Sequence, residues 1–453
     1  MARTREHASQ LAQQLRYRGG ALVLRSLARG GAVCQGRRMD DDVTAPRRVP
    51  GFRSYWSAAT VSSFGSAVSA IAVPVLVVTV LHATAFEVGL VNAAQFLPYA
   101  LFGLLVGAYV DRVRRKPLLI WASIGRGVCL GAIPVLWLTG LLNLWVTAMA
   151  LFVFGVLSVL GFAATQSLLP RIVPRHLLLA ANARLDQSDA AAQTVGPALG
   201  GVLVGIMTAP IAIALDAMSY LIDAALISRI RVDEQAPERT AGTRLRRDIA
   251  DGLRWTYGHM TLAPLALSTH LWFLANAAAL TVFATLALRS LALPAAVYGA
   301  IIAVSGAAML VGATAAPRLG ARLGAGRAII LARAAYPVAW AAITFAMVSI
   351  GATEPTATVV VLFVAFAVHG AAAGCENANE MSLRQTLTPD ALLGRMNGTM
   401  RSANRTLAAV GAVGGGALMT VAGAGYALLA VTLVFIAAVV VAARSPLRTA
   451  PVR

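Results

Sequence analysis

Long apolar runs separated by short polar breaks make up most of the chain after residue 50. Twelve such runs fall at roughly 54–80, 84–109, 118–139, 143–165, 187–207, 209–228, 262–288, 296–317, 327–350, 356–378, 403–422 and 424–443. Each matches the ~20 apolar residues that cross a bilayer as a helix. Lipid offers backbone N–H and C=O groups no hydrogen-bond partner, so spanning runs must satisfy them internally, as helices do. The pattern predicts an all-α integral membrane protein with twelve transmembrane helices.

The polar breaks alternate in character. One set is basic: Arg112, Arg114, Arg115 and Lys116; Arg171, Arg175 and Arg184; Arg244, Arg246, Arg247 and Arg254; Arg318, Arg322 and Arg327; Arg395, Arg401 and Arg405. The other set holds little beyond His82, Glu87, Arg289 and Glu354. Basic loops stay on the cytoplasmic side during insertion, which predicts a multi-pass protein with both termini cytoplasmic. Composition agrees: 58% of residues are hydrophobic and only 13% charged, about half the charge of a soluble domain. In a soluble protein a net charge of +19 would point to nucleic acid. Here the alternation accounts for it as topology plus attraction to anionic lipid, and no nucleic-acid partner is expected.

Cys34, Cys129 and Cys375 are scattered, without pairing or metal-ligand spacing. No metal and no cofactor is expected. Residues 1–50 read as a basic cytoplasmic arm of disordered type. Its one apolar stretch, ALVLRSLA, is interrupted by Arg25, which a signal peptide would not tolerate. Residues 229–261 form a polar central loop between helices 51–228 and 262–445, and 446–453 form a tail.

The two six-helix segments repeat each other, as transporter halves often do. IVPRHLLLAANARLDQSDAAAQTVGPALGG (172–201) aligns with LTPDALLGRMNGTMRSANRTLAAVGAVGGG (387–416) at a constant offset of 215. Pro174/Pro389, Asn182/Asn397, Gly196/Gly411, Gly200/Gly415 and Gly201/Gly416 are identical pairs. A fainter echo relates 107–117, GAYVDRVRRKP, to the glycines and arginines of 312–327.

GAYVDRVRRKP is similar to the cytoplasmic signature between the second and third helices of the major facilitator superfamily. Gly107, Asp111, Arg112, Arg115 and Lys116 match it, and Arg114 replaces its second glycine. That resemblance implies a latch in which the aspartate closes the cytoplasmic ends of the two halves onto a positive helix end and nearby arginines. GPALGG, with Gly196, Pro197, Gly200 and Gly201, resembles the fifth-helix motif of drug:proton antiporters; the family's upstream glycine is Ala192 here. Small residues let helices approach closely and proline bends them. TPDALLGRMNG (388–398), ANARLDQS (181–188), DAMSYLIDA (216–224) and IADGLRWTYGHMTLAPL (249–265) look like the branch containing macrolide-efflux proteins and the enterobactin exporter. Members of that branch often carry an acid on the first helix, where this chain has Ser66.

Ionisable groups at membrane depth cost about 2.5–3.5 kcal/mol each on insertion scales and need a reason. His369, Glu376 and Glu380 are spaced by seven and four residues along the tenth span, hence on one helical face. By the resemblance this span lines the central cavity. Glu376 is the first candidate for a proton site. Glu380 stands four before Arg384, so an ordinary ion pair is its alternative reading. Asp216 and Asp223 share a face of the sixth span, either as structural partners or as functional acids. Asn92 and Gln95 form a polar stripe on the second span, and His270 and Asn276 are candidate substrate contacts on the seventh. No phosphate-binding lysine loop, H-E-x-x-H or G-x-S-x-G occurs, so an enzyme is not expected. The resemblance implies a monomeric secondary transporter of a bacterial inner or plasma membrane. Its cargo would be hydrophobic or amphipathic small molecules, exported against protons. A dedicated metabolite or siderophore exporter, an importer, and a transport-inactive membrane scaffold or sensor are the alternatives.

Overall fold

A computed structural model describes residues 46, 49–110, 113–232, 234, 245–350 and 353–449. Among these it contains twelve helices long and apolar enough to cross a membrane. The first six are α1 (Phe52–Val75), α2 (Ala85–Val110), α3 (Arg115–Leu138), α4 (Leu144–Ile172), α5 (Leu178–Met207) and α6 (Ala209–Ser228). An amphipathic α7 (Leu245–Gly258) follows. The last six are α8 (Leu262–Thr285), α9 (Ala295–Leu323), α10 (Ala325–Phe345), α11 (Pro355–Leu387), α12 (Asp390–Ala422) and α13 (Ala424–Ala443). The predicted basic arm, most of the central loop before α7, and the end of the tail lie outside the described residues; Pro446–Thr449 forms a short helical turn whose Leu447 is buried.

Five helices outrun the apolar pattern, α9 by continuing to Leu323. α4 and α11 continue to Ile172 and Leu387, and α5 and α12 start at Leu178 and Asp390. Hydropathy registers only the portion of a helix in hydrocarbon, whereas the hydrogen-bonded ladder continues beyond it. Arg395, Arg401 and Arg405, expected in a loop, therefore sit on α12. There Arg401 lies 3.8 Å from the Phe162 ring centroid on α4, and Arg405 lies 5.2 and 5.5 Å from Phe96 and Tyr99 on α2.

Within each half the same neighbours meet: α1 with α5 and α6, α2 with α4, and α3 with α4 and α6, matched by α8 with α12 and α13, α9 with α11, and α10 with α11 and α13. The halves join through α2 against α12 and α5 against α9. Glycines make these crossings close. A Cβ on Gly201 would lie 2.5 Å from the Ala295 carbonyl oxygen across the α5–α9 crossing, and one on Gly416 would meet the Ala85 carbonyl across α12–α2. Gly155 against Gln95 and Gly370 against Ser305 repeat the relation inside the halves. Both α1 and α8 end in a π-helical turn, Leu76–Val80 and Leu286–Ser290. Each is followed by a residue at positive φ, His82 (51°) and Ala292 (47°). A weak sequence repeat is thus a close structural one.

One repeated position differs in its cost. Gly423, at φ 91° and ψ 169°, introduces α13, and its counterpart Thr208, at φ 79° and ψ 155°, introduces α6. Glycine reaches that region freely, whereas a residue with a Cβ is strained there by about 1–3 kcal/mol. Thr208→Gly is expected to raise the thermal midpoint of the purified protein, less the entropy glycine adds to the unfolded chain. An unchanged or lower midpoint would show that the strain is relieved elsewhere.

A buried charge network in the carboxyl-terminal half

α11 approaches α9 backbone to backbone, because Gly370 and Gly374 leave no side chain between them and the Ser305 and Met309 carbonyls. That seating turns the His369–Glu376–Glu380 face towards α8 and α10. The predicted face exists, and all three side chains are buried. Glu376 is only 6% exposed.

The organising group is Arg333 on α10, which is fully enclosed. Its Nε donates to Glu376 Oε1 at 2.7 Å, and its Nη2 donates to Glu380 Oε2 at 3.2 Å and to Thr269 Oγ1 at 2.7 Å. Nη1 donates to Ser268 Oγ. Tyr336, one turn below Arg333, donates its hydroxyl to Glu376 Oε2 at 2.8 Å. Glu380 also accepts from Arg384 at 3.4 Å, so the expected ion pair forms but is shared. Arg384 in turn donates to Asn397 on α12. One guanidinium thus ties α8, α10 and α11 together. Two arginines face two glutamates, which lets a buried charge cluster persist.

His369 is two turns from Glu376 and outside its hydrogen-bond network. It accepts a long bond from Trp340 Nε1 (3.3 Å) and is walled by Trp272, Tyr336, Phe366 and Phe435. Its link to Glu376 is Tyr336, which packs on the imidazole at 4.8 Å and bonds the carboxylate. His270, expected as a substrate contact, is instead buried as a bridge. Its Nε2 meets the Tyr257 hydroxyl of α7 at 2.8 Å and its Nδ1 meets Asn404 of α12 at 2.6 Å. α7 is further held by Asp248 and Asp251, which pair with Arg395 at 2.7 and 3.1 Å.

Other candidates are dispersed. Asn92 crosses between the halves to donate to Thr281 Oγ1 (3.0 Å), while Gln95 and Asn276 are half-buried. In the fifth-helix motif Gly196 and Gly200 abut α1, and Pro197 and Gly201 abut α9. The motif therefore seals one half internally and joins it to the other. Asp111 and Arg112 of the expected latch lie outside the described residues. Gly107 is in α2, Arg115 is buried, and Lys116 Nζ donates to the Ser228 carbonyl at the end of α6 (2.9 Å). That contact caps a negative helix terminus within its own half. At the opposite end of the bundle Arg289 crosses to the Ala83 carbonyl at 2.6 Å. Among the described residues α4 and α11 do not pack closely against each other.

Arg333, Tyr336, Thr269 and Asn404 did not emerge from the sequence. For Arg333 the signal was present: an arginine six residues into the run 327–350 breaks the same rule that singled out Glu376. Arg126, inside the third span, broke it too.

Known proteins agree with this architecture. A bacterial homologue of the iron transporter ferroportin in its inward-facing state superposes with a TM-score of 0.65 at 18% identity, covering 87% of this chain and all of that one. The nucleoside transporter NupG superposes at 0.69 and 9% identity, covering 87% and 98%. In sequence, the enterobactin exporter EntS of Escherichia coli is 26% identical over 386 residues, 82% of this chain and 86% of its own. Macrolide efflux protein A of Streptococcus pyogenes is 23% identical over 181 residues, 40% of this chain and 44% of that relative. The family model described as transmembrane secretion effector matches residues 42–452, and the chain accordingly belongs to that family of major facilitator transporters.

Proposed function

We propose that this transporter exports hydrophobic or amphipathic small molecules from the cytoplasm of a bacterial cell in exchange for protons. The observation that carries this reading is the buried Glu376–Arg333 pair. A carboxylate held by a guanidinium, inside a half that must move against its partner, is a group whose protonation changes what is tied to what. Protonating Glu376 removes the charge facing Arg333 Nε, while Glu380, Ser268 and Thr269 keep the guanidinium. Arg333 would then bind α8 and the lower turn of α11 more strongly than the upper turn. This is a two-position element that proton and cargo can each bias.

Export as the direction is supported by the names of the relatives and by the small-residue motif on α5. The alternation of basic loops supports placing α7 and both termini in the cytoplasm. The arrangement of the halves is then one in which the external ends are tied, by Arg289 to the Ala83 carbonyl and by Gly201 and Gly416 at their crossings. A dedicated exporter of one metabolite is the second reading, favoured by the alignment over most of the enterobactin exporter's length.

The test is the susceptibility of an efflux-deficient host expressing the chain to a panel of amphipathic antibiotics, with and without a protonophore. Protection across several compounds, abolished by the protonophore, is the expected result. Protection against none, with secretion of a single host metabolite, would favour the second reading. An impermeant thiol reagent on intact cells should label a cysteine placed at 354 and not one at 254; the reverse would invert the topology.

A further inference from the structure

The amino-terminal half buries its own polar cluster, away from Glu376 and Arg333. On α6, Asp216, Tyr220 and Asp223 are spaced by four and three residues and so share the face that packs on α1 and α3. Asp223 Oδ2 accepts from Ser123 on α3 at 2.5 Å. Arg126, one turn along α3, donates to Ser123 at 2.9 Å and lies 4.4 Å from the Tyr220 ring centroid. The Tyr220 hydroxyl is 2.8 Å from Ser66 on α1. Asp216 has no exposed surface, and its Oδ1 accepts from Ser219 at 3.0 Å. Among the described residues no hydrogen bond of ordinary geometry reaches its buried Oδ2. The same holds for the hydroxyl of Ser69, the α1 residue that faces it and is 9% exposed. Space for this contact comes from Gly65, one turn earlier on α1, where a Cβ would lie 2.5 Å from Asp216 Oδ1.

Charge bookkeeping separates the two halves. The carboxyl-terminal network sets two arginines against two glutamates. Its counterpart sets one arginine against two aspartates, and among the described residues neither aspartate forms an ion pair. The repeat explains the difference. Gly161 stands 215 residues before Glu376, and a Cβ there would lie 3.2 Å from Arg126 Nη2. Where the carboxyl-terminal half supplies two acids from α11, this half supplies none from α4 and two from α6. The titratable and charged groups facing Asp216 are Arg126 from α3 and Tyr220 from its own helix, and Tyr55 from α1 faces Asp223. An ionised carboxylate with one oxygen unpaired and no cation in contact is too costly to bury.

We infer that Asp216 is a second proton-binding site, holding its proton on Oδ2 and donating it to Ser69 Oγ at the α1–α6 contact. Loading takes one proton from water onto Oδ2, release returns it to water, and no other bond changes. Release requires α1 and α6 to part at Gly65, so the site's occupancy follows the movement of α1 within its half. The inference deepens the reading of the chain as a proton-coupled exporter and rests on it for its function. It does not require Glu376 to be the coupling group.

Infrared difference spectroscopy of the full chain in lipid, across a pH titration, tests the assignment through the carbonyl stretch of a protonated carboxyl group. At neutral pH the wild type should show this band, Asp216→Asn should lack it, and Glu376→Gln should retain it. Ser69→Ala should move the band towards that of an acid with no acceptor, and it serves as the readout if Asp216→Asn fails to insert. Proton-driven efflux by Asp216→Asn should fall at least about tenfold, the factor matching 1.4 kcal/mol. No band lost in Asp216→Asn, or a band removed by sodium at constant pH, would overturn the proposal. So would a band that never titrates, which makes the proton a permanent structural one. That last result decides the matter even in a chain whose efflux is independent of protons.

Discussion

Arg333→Met should leave little folded protein in the membrane. The substitution keeps the apolar stem of the side chain but removes the guanidinium and strands Glu376, which is 6% exposed and has Tyr336 as its remaining donor. Breaking a buried pair by removing one partner costs about 3–5 kcal/mol, because the surviving charge has neither water nor counterion. That is a large share of a typical stability margin. Arg333→Lys should recover only part of the loss, since a single ammonium cannot present the fork that reaches Glu376, Glu380, Ser268 and Thr269 together. Arg333→Met combined with Glu376→Gln should accumulate better than Arg333→Met alone, because it removes the stranded charge. The measurement is the thermal midpoint and yield of detergent-purified protein. If Arg333→Met matches the wild type in both, the network is not a structural tie, and the coupling scheme built on it loses its foundation.

The same network shows what a single sequence discloses. Twelve spans and a two-fold repeat were legible because hydrocarbon thickness and helix-only backbone chemistry leave little freedom in how an apolar run is used. Glu376 and His369 were legible because each interrupts an apolar run. Arg333 interrupts one as well, but it lies six residues after Arg327 and is easily counted with the basic loop. Ser268, Thr269 and Tyr336 could not be found, since a hydroxyl in a membrane helix bonds its own backbone as readily as a distant guanidinium. Thr269 does both, its hydroxyl donating to the Leu265 carbonyl at 2.9 Å and accepting from Arg333 Nη2 at 2.7 Å. The role of α7 was hidden for a different reason. Its partners Arg395, His270 and Asn404 come from α8 and α12, and no local pattern links such segments. The wrong boundary of α12 has the same root, because hydropathy reports the bilayer and not the helix.

Glu376→Gln should insert and fold, yet lose the response of efflux to a proton gradient. Glutamine preserves the shape of the side chain, its carbonyl can still accept from Arg333 or Tyr336, and Glu380 and Thr269 continue to hold the guanidinium. What disappears is the ability to alternate between a charge that holds Arg333 Nε and a neutral acid that does not. On the proposed exchange, wild-type efflux should rise as the inward proton gradient steepens, since protonation from outside would release Glu376 from Arg333 and deprotonation on the cytoplasmic side would restore the pair. The variant is fixed in the neutral condition, so its exchange of cargo down a cargo gradient should persist while gradient-driven accumulation outside the cell stops. Proteoliposomes loaded with substrate and given an artificial pH difference separate these two activities. Glu380→Gln is the control, because Arg333 then keeps its closer partner at 2.7 Å and coupling should survive in weakened form. If the Glu376→Gln protein transports with an unchanged dependence on the gradient, coupling does not pass through this pair, and Asp216 becomes the group to which the proton must be traced.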